Sequence, residues 1–159
     1  MWCGDEHIDA RTVLWAAGVA ASPLAKALGV PLDRAGRVLV TPDLSIPGHP
    51  NVFVTGDLMH VDQDGGMVPG VAPAAIQSGR AAAQNIARRV AGKPTVPFRY
   101  LDKGSLATIG RAAGVGQIGK LQLSGFAAWW LWWCVHIAYL IGYRNRLVVM
   151  MGWAFQYFA

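Results

Sequence analysis

The sequence predicts an α/β fold followed by a helical, aromatic-rich tail, and three observations carry that expectation. Short runs of β-branched and aromatic residues, bounded by Gly and Pro, precede one long helical pattern in the first hundred positions. The 159 residues are 53% hydrophobic and only 14% charged, with a mean hydropathy of +0.32. That excludes disorder and falls well below the ~25% charge of ordinary soluble domains. Eleven of the 16 aromatic residues lie beyond Gly125, so the composition averages two unlike halves.

Ala10–Ala16 reads as a first strand, broken at Ala17-Gly18. Ser22-Pro23 caps and opens a short helix, Leu24–Leu28, which Gly29 closes. Asp33–Gly36 is a turn before a strand at Arg37–Thr41. After a Pro- and Gly-rich loop, Asn51–Thr55 is continuous and apolar, the pattern of a strand covered on both faces. A Gly-rich loop then leads to a helix over about Val71–Ala91. Val71, Ala75, Gly79, Ala82, Ile86 and Val90 trace its expected inner face, and Gln77, Arg80, Gln84 and Arg88 a polar stripe. Ser105–Ile109 and Gln117–Leu123 are candidate hairpin strands.

Charge divides the chain as the aromatics do. Residues 1–64 hold eight acids and four bases, whereas residues 65–159 hold ten bases and one acid, Asp102. Bases beside aromatics suit a nucleic acid or an anionic membrane surface. The block from Gly125 to Tyr143 has no Asp, Glu, Lys or Arg, and a single histidine, His136. It therefore favours the membrane and disfavours nucleic acid. His136 reads as a packed or interfacial histidine. Cys3 and Cys134 form no metal-binding or redox spacing, and no metal site is expected.

Gly56-Asp57, at the carboxyl end of a buried strand, is the most informative local feature. Ligands of open α/β sheets sit outside such ends, and a carboxylate beside Gly can accept hydrogen bonds from a polyol. The helix opening at Pro69-Gly-Val-Ala72 adds amides and a positive dipole end, suited to an anionic or electron-accepting ring such as a flavin. Gly114-Val-Gly-Gln-Ile-Gly119 matches G-x-G-x-x-G, but it follows no buried strand, opens no helix and has no acid after it. It is read as a coincidence.

Together, Thr12–Val19, Asn51–Asp57 and Pro69–Gly79 resemble the carboxyl-terminal half of two-dinucleotide-domain, Rossmann-like flavoproteins. Tyr100–Arg111 and Ile141–Leu147 narrow the resemblance to type II NADH dehydrogenases, the membrane-peripheral NADH:quinone oxidoreductases. It implies FAD and NADH as cofactors, a membrane quinone as acceptor, no proton pumping, and a place on the cytoplasmic face of the inner membrane. Residues 1–18 would end the NADH-binding domain, 19–98 form the carboxyl-terminal half of the FAD-binding domain, and 99–159 form a β-hairpin with anchoring helices. Gly56 and Asp57 would hold the FAD ribityl chain, and Val71 and Ala72 would face the flavin. Ala16, Ala17 and Gly18 would lie near the NADH/FAD junction. Gln77 would face the quinone, with Pro73 standing where the family pattern has a first Gln. No catalytic acid, base or nucleophile is required. A homodimer through the carboxyl-terminal region stays open.

The resemblance also places the FAD and NADH fingerprints ahead of residue 1, so the chain reads as a carboxyl-terminal portion, not expected to bind FAD tightly by itself. Gly125–Tyr143 would be ~28 Å as one helix, close to a ~30 Å bilayer core. Spanning would put Arg144 and Arg146 on the wrong side for the positive-inside tendency. The preferred expectation is an anchor of two helices in one leaflet. Trp129, Trp130, Trp132 and Trp133 would meet lipid, and both arginines would meet an anionic headgroup surface. The alternatives are another quinone-linked flavoprotein, such as a sulfide:quinone oxidoreductase, or a non-enzymatic membrane-tethering module.

Overall fold

The computed structural model describes residues 1–16 and 18–158, without the side chain of Phe158. The chain divides into two compact units, Met1–Tyr100 and Leu101–Ala159. Most of the regular structure in the first unit is short. A hairpin of β1 (Trp2–Cys3) and β2 (Glu6–His7) leads to α1 (Leu24–Ala27), whose Leu24 N–H donates to Ser22 Oγ at 3.3 Å. Then come β3 (Val38–Leu39), β4 (Ser45–Ile46), β5 (His49–Phe53), β6 (Met59–His60), β7 (Asp62–Gln63) and β8 (Gly66–Met67). Only β3 and β6 pair in parallel; β4 with β5 and β7 with β8 are antiparallel. The one long element is α2, Ala72–Val90.

Two strand expectations change. Ala10–Ala16 is not a strand: no ladder partner meets it among the described residues, and Leu14 and Trp15 are 88% and 85% exposed. The apolar run after Asn51 is a strand only to Phe53, and it is not covered on both faces. Its one hydrogen-bonded neighbour is the two-residue β4, so most of β5 stays exposed and only Val54, beyond its end, is buried.

The core of this unit gathers Val38, Leu44, Ile46, Val54 and Met59 under Ala74 and Ala82 of α2. The inner face of α2 is therefore rotated from the expected one. Ala74, Ser78, Ala82 and Asn85 are buried, whereas Ile86 and Val90 are exposed. Two polar residues go inward because their hydrogen bonds are met there. Asn85 Nδ2 donates to the Asp43 and Val96 carbonyls at 3.1 and 2.9 Å, and its Oδ1 accepts the Val96 N–H at 2.9 Å. That amide joins α2 to two loops at once. The loop below it is tied by Asp43 Oδ1, which accepts from the Thr41 and Ser45 hydroxyls and the Ser45 N–H.

The second unit is a meander of β9 (Ser105–Gly110), β10 (Ala113–Ile118) and β11 (Leu121–Ser124), with α3 (Gly125–Tyr139) packed on it and α4 (Tyr143–Phe158) returning. The G-x-G-x-x-G segment lies mainly in β10 and opens no helix. Its glycines serve packing: a Cβ at Gly114 would stand 2.8 Å from the Trp129 amide nitrogen, and one at Gly116 would strike the Leu106 side chain.

The aromatic block is not one 19-residue helix. It stops at Tyr139; Leu140 is extended and Gly142 takes φ +83° before α4 begins. At 15 and 16 residues, α3 and α4 measure only ~22 and ~24 Å. Among the described residues, no helix is long and apolar enough to cross a membrane.

Candidate functional site

The Gly56-Asp57 feature is built by three local choices. Gly56 opens a 3₁₀ turn, Gly56–Leu58, immediately beyond β5, with φ +67° that an L side chain adopts only with strain. A Cβ there would also press to 3.4 Å of the Ala75 Cβ. The Gly56 N–H donates to Ser78 Oγ at 3.1 Å, while that hydroxyl donates to the Ala75 carbonyl. Ser78 therefore fixes the turn against the first half of α2. Asp57 follows with an exposed carboxylate. A Cβ at Gly70 would lie 3.6 Å from Asp57 Oδ1, so the Gly at 70 leaves room beside that oxygen.

The start of α2 lies next along the chain. Val71 is extended, and its carbonyl accepts the Ala74 and Ala75 amides. Its own N–H is spent on the Pro69 carbonyl at 3.0 Å. The first helical amide, Ala72, has no intrahelical acceptor. The structure thus brings Gly56, Asp57, Val71 and Ala72 to one side of the first unit. An acceptor carboxylate and a helix-end donor are the result, the pair a polyol-bearing, electron-accepting ligand requires.

Pro73 occupies the first helical turn, where its missing N–H costs nothing. Gln77 sits one turn later and is half-buried, so the two share a side of α2. Ala16 and Gly18 lie on exposed chain ahead of α1, and Ala17 lies outside the described residues.

In the second unit, Trp129, Trp132 and Trp133 are half-buried and Trp130 is exposed. Trp132 stacks on Trp153 with centroids 5.4 Å apart, and Trp129 meets Tyr157 at 5.5 Å. As one number rises the other falls, so these rings zip α3 and α4 together antiparallel. His136 bonds the Trp132 carbonyl through Nδ1 at 2.8 Å and stacks on its ring, in keeping with a packing role. Arg144 is exposed. Arg146 does more than face solvent: its Nε and Nη2 donate to the Leu140 and Ala138 carbonyls at 2.9 and 2.8 Å. It caps the carboxyl end of α3, where a cation also meets the negative end of the helix dipole.

Ser78, Asn85 and Arg146 are the residues that the hydrophobic pattern alone does not reveal. Ala74, Ser78 and Ala82 do repeat at a spacing of four, and that small-residue stripe was the available signal. A second polar cluster, also outside the expected site, holds β6 beside β3. The Asp33 carboxylate accepts the Ala35 and Arg37 amides, binds Arg37 Nε at 2.6 Å and lies 2.8 Å from His60 Nδ1. Burial works against its charge, but those hydrogen bonds win and hold the carboxyl far below its usual range.

Residues 3–79 match the pyridine nucleotide-disulphide oxidoreductase family, and residues 103–159 match the NDH2 C-terminal domain. The chain is 47% identical over 97% of its length to the type II NADH:quinone oxidoreductase NdhA of Mycobacterium tuberculosis, covering 34% of that protein. It is 46% identical over 92% of its length to Ndh of the same organism, covering 32% of it. It is 33% identical over 76% of its length to the type II NADH:quinone oxidoreductase of Staphylococcus saprophyticus, covering 30% of it. The chain spans about a third of the length of the curated relatives it matches. Over that third the chain is similar to type II NADH:quinone oxidoreductases, with the pyridine nucleotide-disulphide oxidoreductase match ahead of the NDH2 C-terminal domain match.

Proposed function

We propose that this chain supplies the flavin-, quinone- and membrane-facing part of a flavoprotein that oxidises NADH and reduces a membrane quinone without pumping protons. The observation that carries it is the Gly56-Asp57 turn, pinned by Ser78 beside the opening of α2. In this reading residues 1–18 close the NADH-binding domain, 19–98 complete the FAD-binding domain, and 99–159 anchor the enzyme to the cytoplasmic face of the inner membrane.

The residues present fit FAD. Asp57 offers an exposed acceptor for ribityl hydroxyls, and Gly56 and Gly70 leave open the space a side chain would fill. When bound, FAD would supply the redox chemistry linking NADH to the quinone, chemistry that belongs to the cofactor. The chain's own task is placement. Asp57 holds the ribityl chain, and the Ala72 amide with the positive end of α2 stabilises negative charge on the ring beside it. Ala16 and Gly18 would lie near the nicotinamide junction. Gln77 donates a hydrogen bond to a quinone oxygen; Pro73 has neither an N–H nor a side-chain donor to add a second. The Trp129–Trp133 rings and Arg144 meet lipid and its anionic headgroups.

The test is a chimera in which these 159 residues replace the matching third of the 47%-identical relative. Asp57→Ala should lower bound flavin per protein about tenfold or more, as expected for losing a charge-assisted acceptor. Gln77→Ala should raise the quinone KM about fivefold, the worth of one hydrogen bond, while reduction of ferricyanide by NADH is unchanged. Full flavin retention in Asp57→Ala would sink the assignment.

A further inference from the structure

The second unit carries an open cleft of about 620 Å³, inside the ~300–1,000 Å³ range of small-ligand sites. Its walls are rings: Trp129, Trp130, Trp132 and Trp133 from α3, with Trp153 and Tyr157 from α4. The β9–β10 turn adds a single cation. Arg111 lines the cavity with its guanidinium 4.8 Å from the centre of the Tyr157 ring. Ala112 follows at φ +54°, a conformation that costs a non-Gly residue energy, so the packing around the turn holds it there.

An apolar, ring-walled cleft with one guanidinium is the complement of an anionic amphiphile. The rings accept an acyl chain, which has no polar group to desolvate, and Trp favours the boundary between chain and headgroup. The planar fork of Arg suits two phosphate oxygens. The charge of this unit agrees: from Leu101 onward there are five Lys and Arg residues against one acid, Asp102. Phe126, Trp130 and Phe155 are exposed large apolar groups on the same two helices. A neutral quinone would offer the guanidinium no countercharge beyond the Tyr157 ring beneath it.

The geometry points to a bound anionic phospholipid, its phosphate on Arg111 and one acyl chain along the tryptophan walls. The inference rests on the reading of α3 and α4 as membrane-seated, but it adds a discrete site to a diffuse attraction. The two make different demands. A diffuse field treats all cations of the unit alike, each being worth about a fivefold change in partitioning. A discrete site makes Arg111 unlike the others.

The full 159-residue chain would be mixed with phosphatidylcholine vesicles containing a minor fraction of phosphatidylglycerol, with bromine on the acyl chains of one lipid or the other. Bromine quenches nearby Trp fluorescence. At equal mole fraction, brominated phosphatidylglycerol should quench about fivefold more effectively than brominated phosphatidylcholine. Arg111→Gln should abolish that preference, Arg111→Lys should restore part of it, and Lys120→Gln should keep it. Near-UV circular dichroism of Arg111→Gln unchanged from wild type shows that the cleft survives the substitution. A chain that binds no vesicles at all refutes the anchor reading itself. Binding with equal quenching by both lipids, or equal effects of Arg111→Gln and Lys120→Gln, overturns the discrete site alone. Relief of quenching by a neutral quinone analogue, equal in wild type and Arg111→Gln, assigns the cleft to quinone and overturns it too.

Discussion

Asn85 donates to the Asp43 and Val96 carbonyls and accepts the Val96 amide from inside α2, with no exposed surface of its own. Asn85→Leu removes the side-chain partner of three backbone groups at once. Unfolding by urea should show a loss of about 2–4 kcal/mol, at the severe end for a single substitution. Asp43 gives a pH-dependent counterpart. Burial raises its pKa, but the Thr41, Thr95 and Ser45 hydroxyls and the Ser45 amide lower it further, leaving the folded carboxyl well below its unfolded value. Asp43 thus contributes stability above its unfolded pKa of about 4 and loses it as pH falls from there toward the folded value. Asp33 acts in the same sense. Unfolding titrated between about pH 5 and pH 2 should show a shallower acid limb in Asp43→Asn than in wild type. The turn at Gly56 was legible beforehand because Gly closes an apolar run there, whereas the flavin role of Gly56 and Asp57 comes from the resemblance and stands as a proposal. Asn85 was not legible, because its value comes from Val96 and Asp43, which no helical period foretells.

At the scale of elements, β10 and α3 meet through an absent side chain. With Gly114 standing where a Cβ would come within 2.8 Å of the Trp129 nitrogen, Gly114→Ala should push α3 off the meander. Near-UV circular dichroism should lose its tryptophan bands while the helical far-UV signal largely persists. The G-x-G-x-x-G string was correctly set aside by its context, yet its packing role became visible only once α3 lay across it. The long helix was legible in extent but not in orientation: the expected inner face ran through Ile86 and Val90, which are exposed, while Ser78 and Asn85 turn inward. The break in the tail was missed because hydropathy continues through Leu140 and Ile141. Its local signals were Gly142 and Asn145, whose Nδ2 donates back to the Ile141 carbonyl at 3.0 Å.

For the molecule as a whole, the two units carry different halves of the task. The first holds the Gly56-Asp57 turn proposed to face the flavin, and the one G-x-G-x-x-G string in the sequence lies mainly in a strand of the second. The 159 residues alone should therefore purify without flavin, and a stoichiometric yellow preparation would contradict that. Exposed Leu14 and Trp15 and the uncovered β5 explain why the strand pattern overstated the regular structure. Their apolar character was legible, whereas their exposure was not.

Arg146 has a consequence for how deep the tail sits. By binding the last carbonyls of α3, it places its guanidinium at the bend, with Arg144 two residues away. Driving that bend toward the bilayer centre would carry two fixed cations into hydrocarbon, each at a cost of at least ~2.5 kcal/mol. In the proposed anchor the hairpin would therefore not enter point first like a stake. It would rest as a raft does, flat sides in the oil and its charged prow held at the waterline.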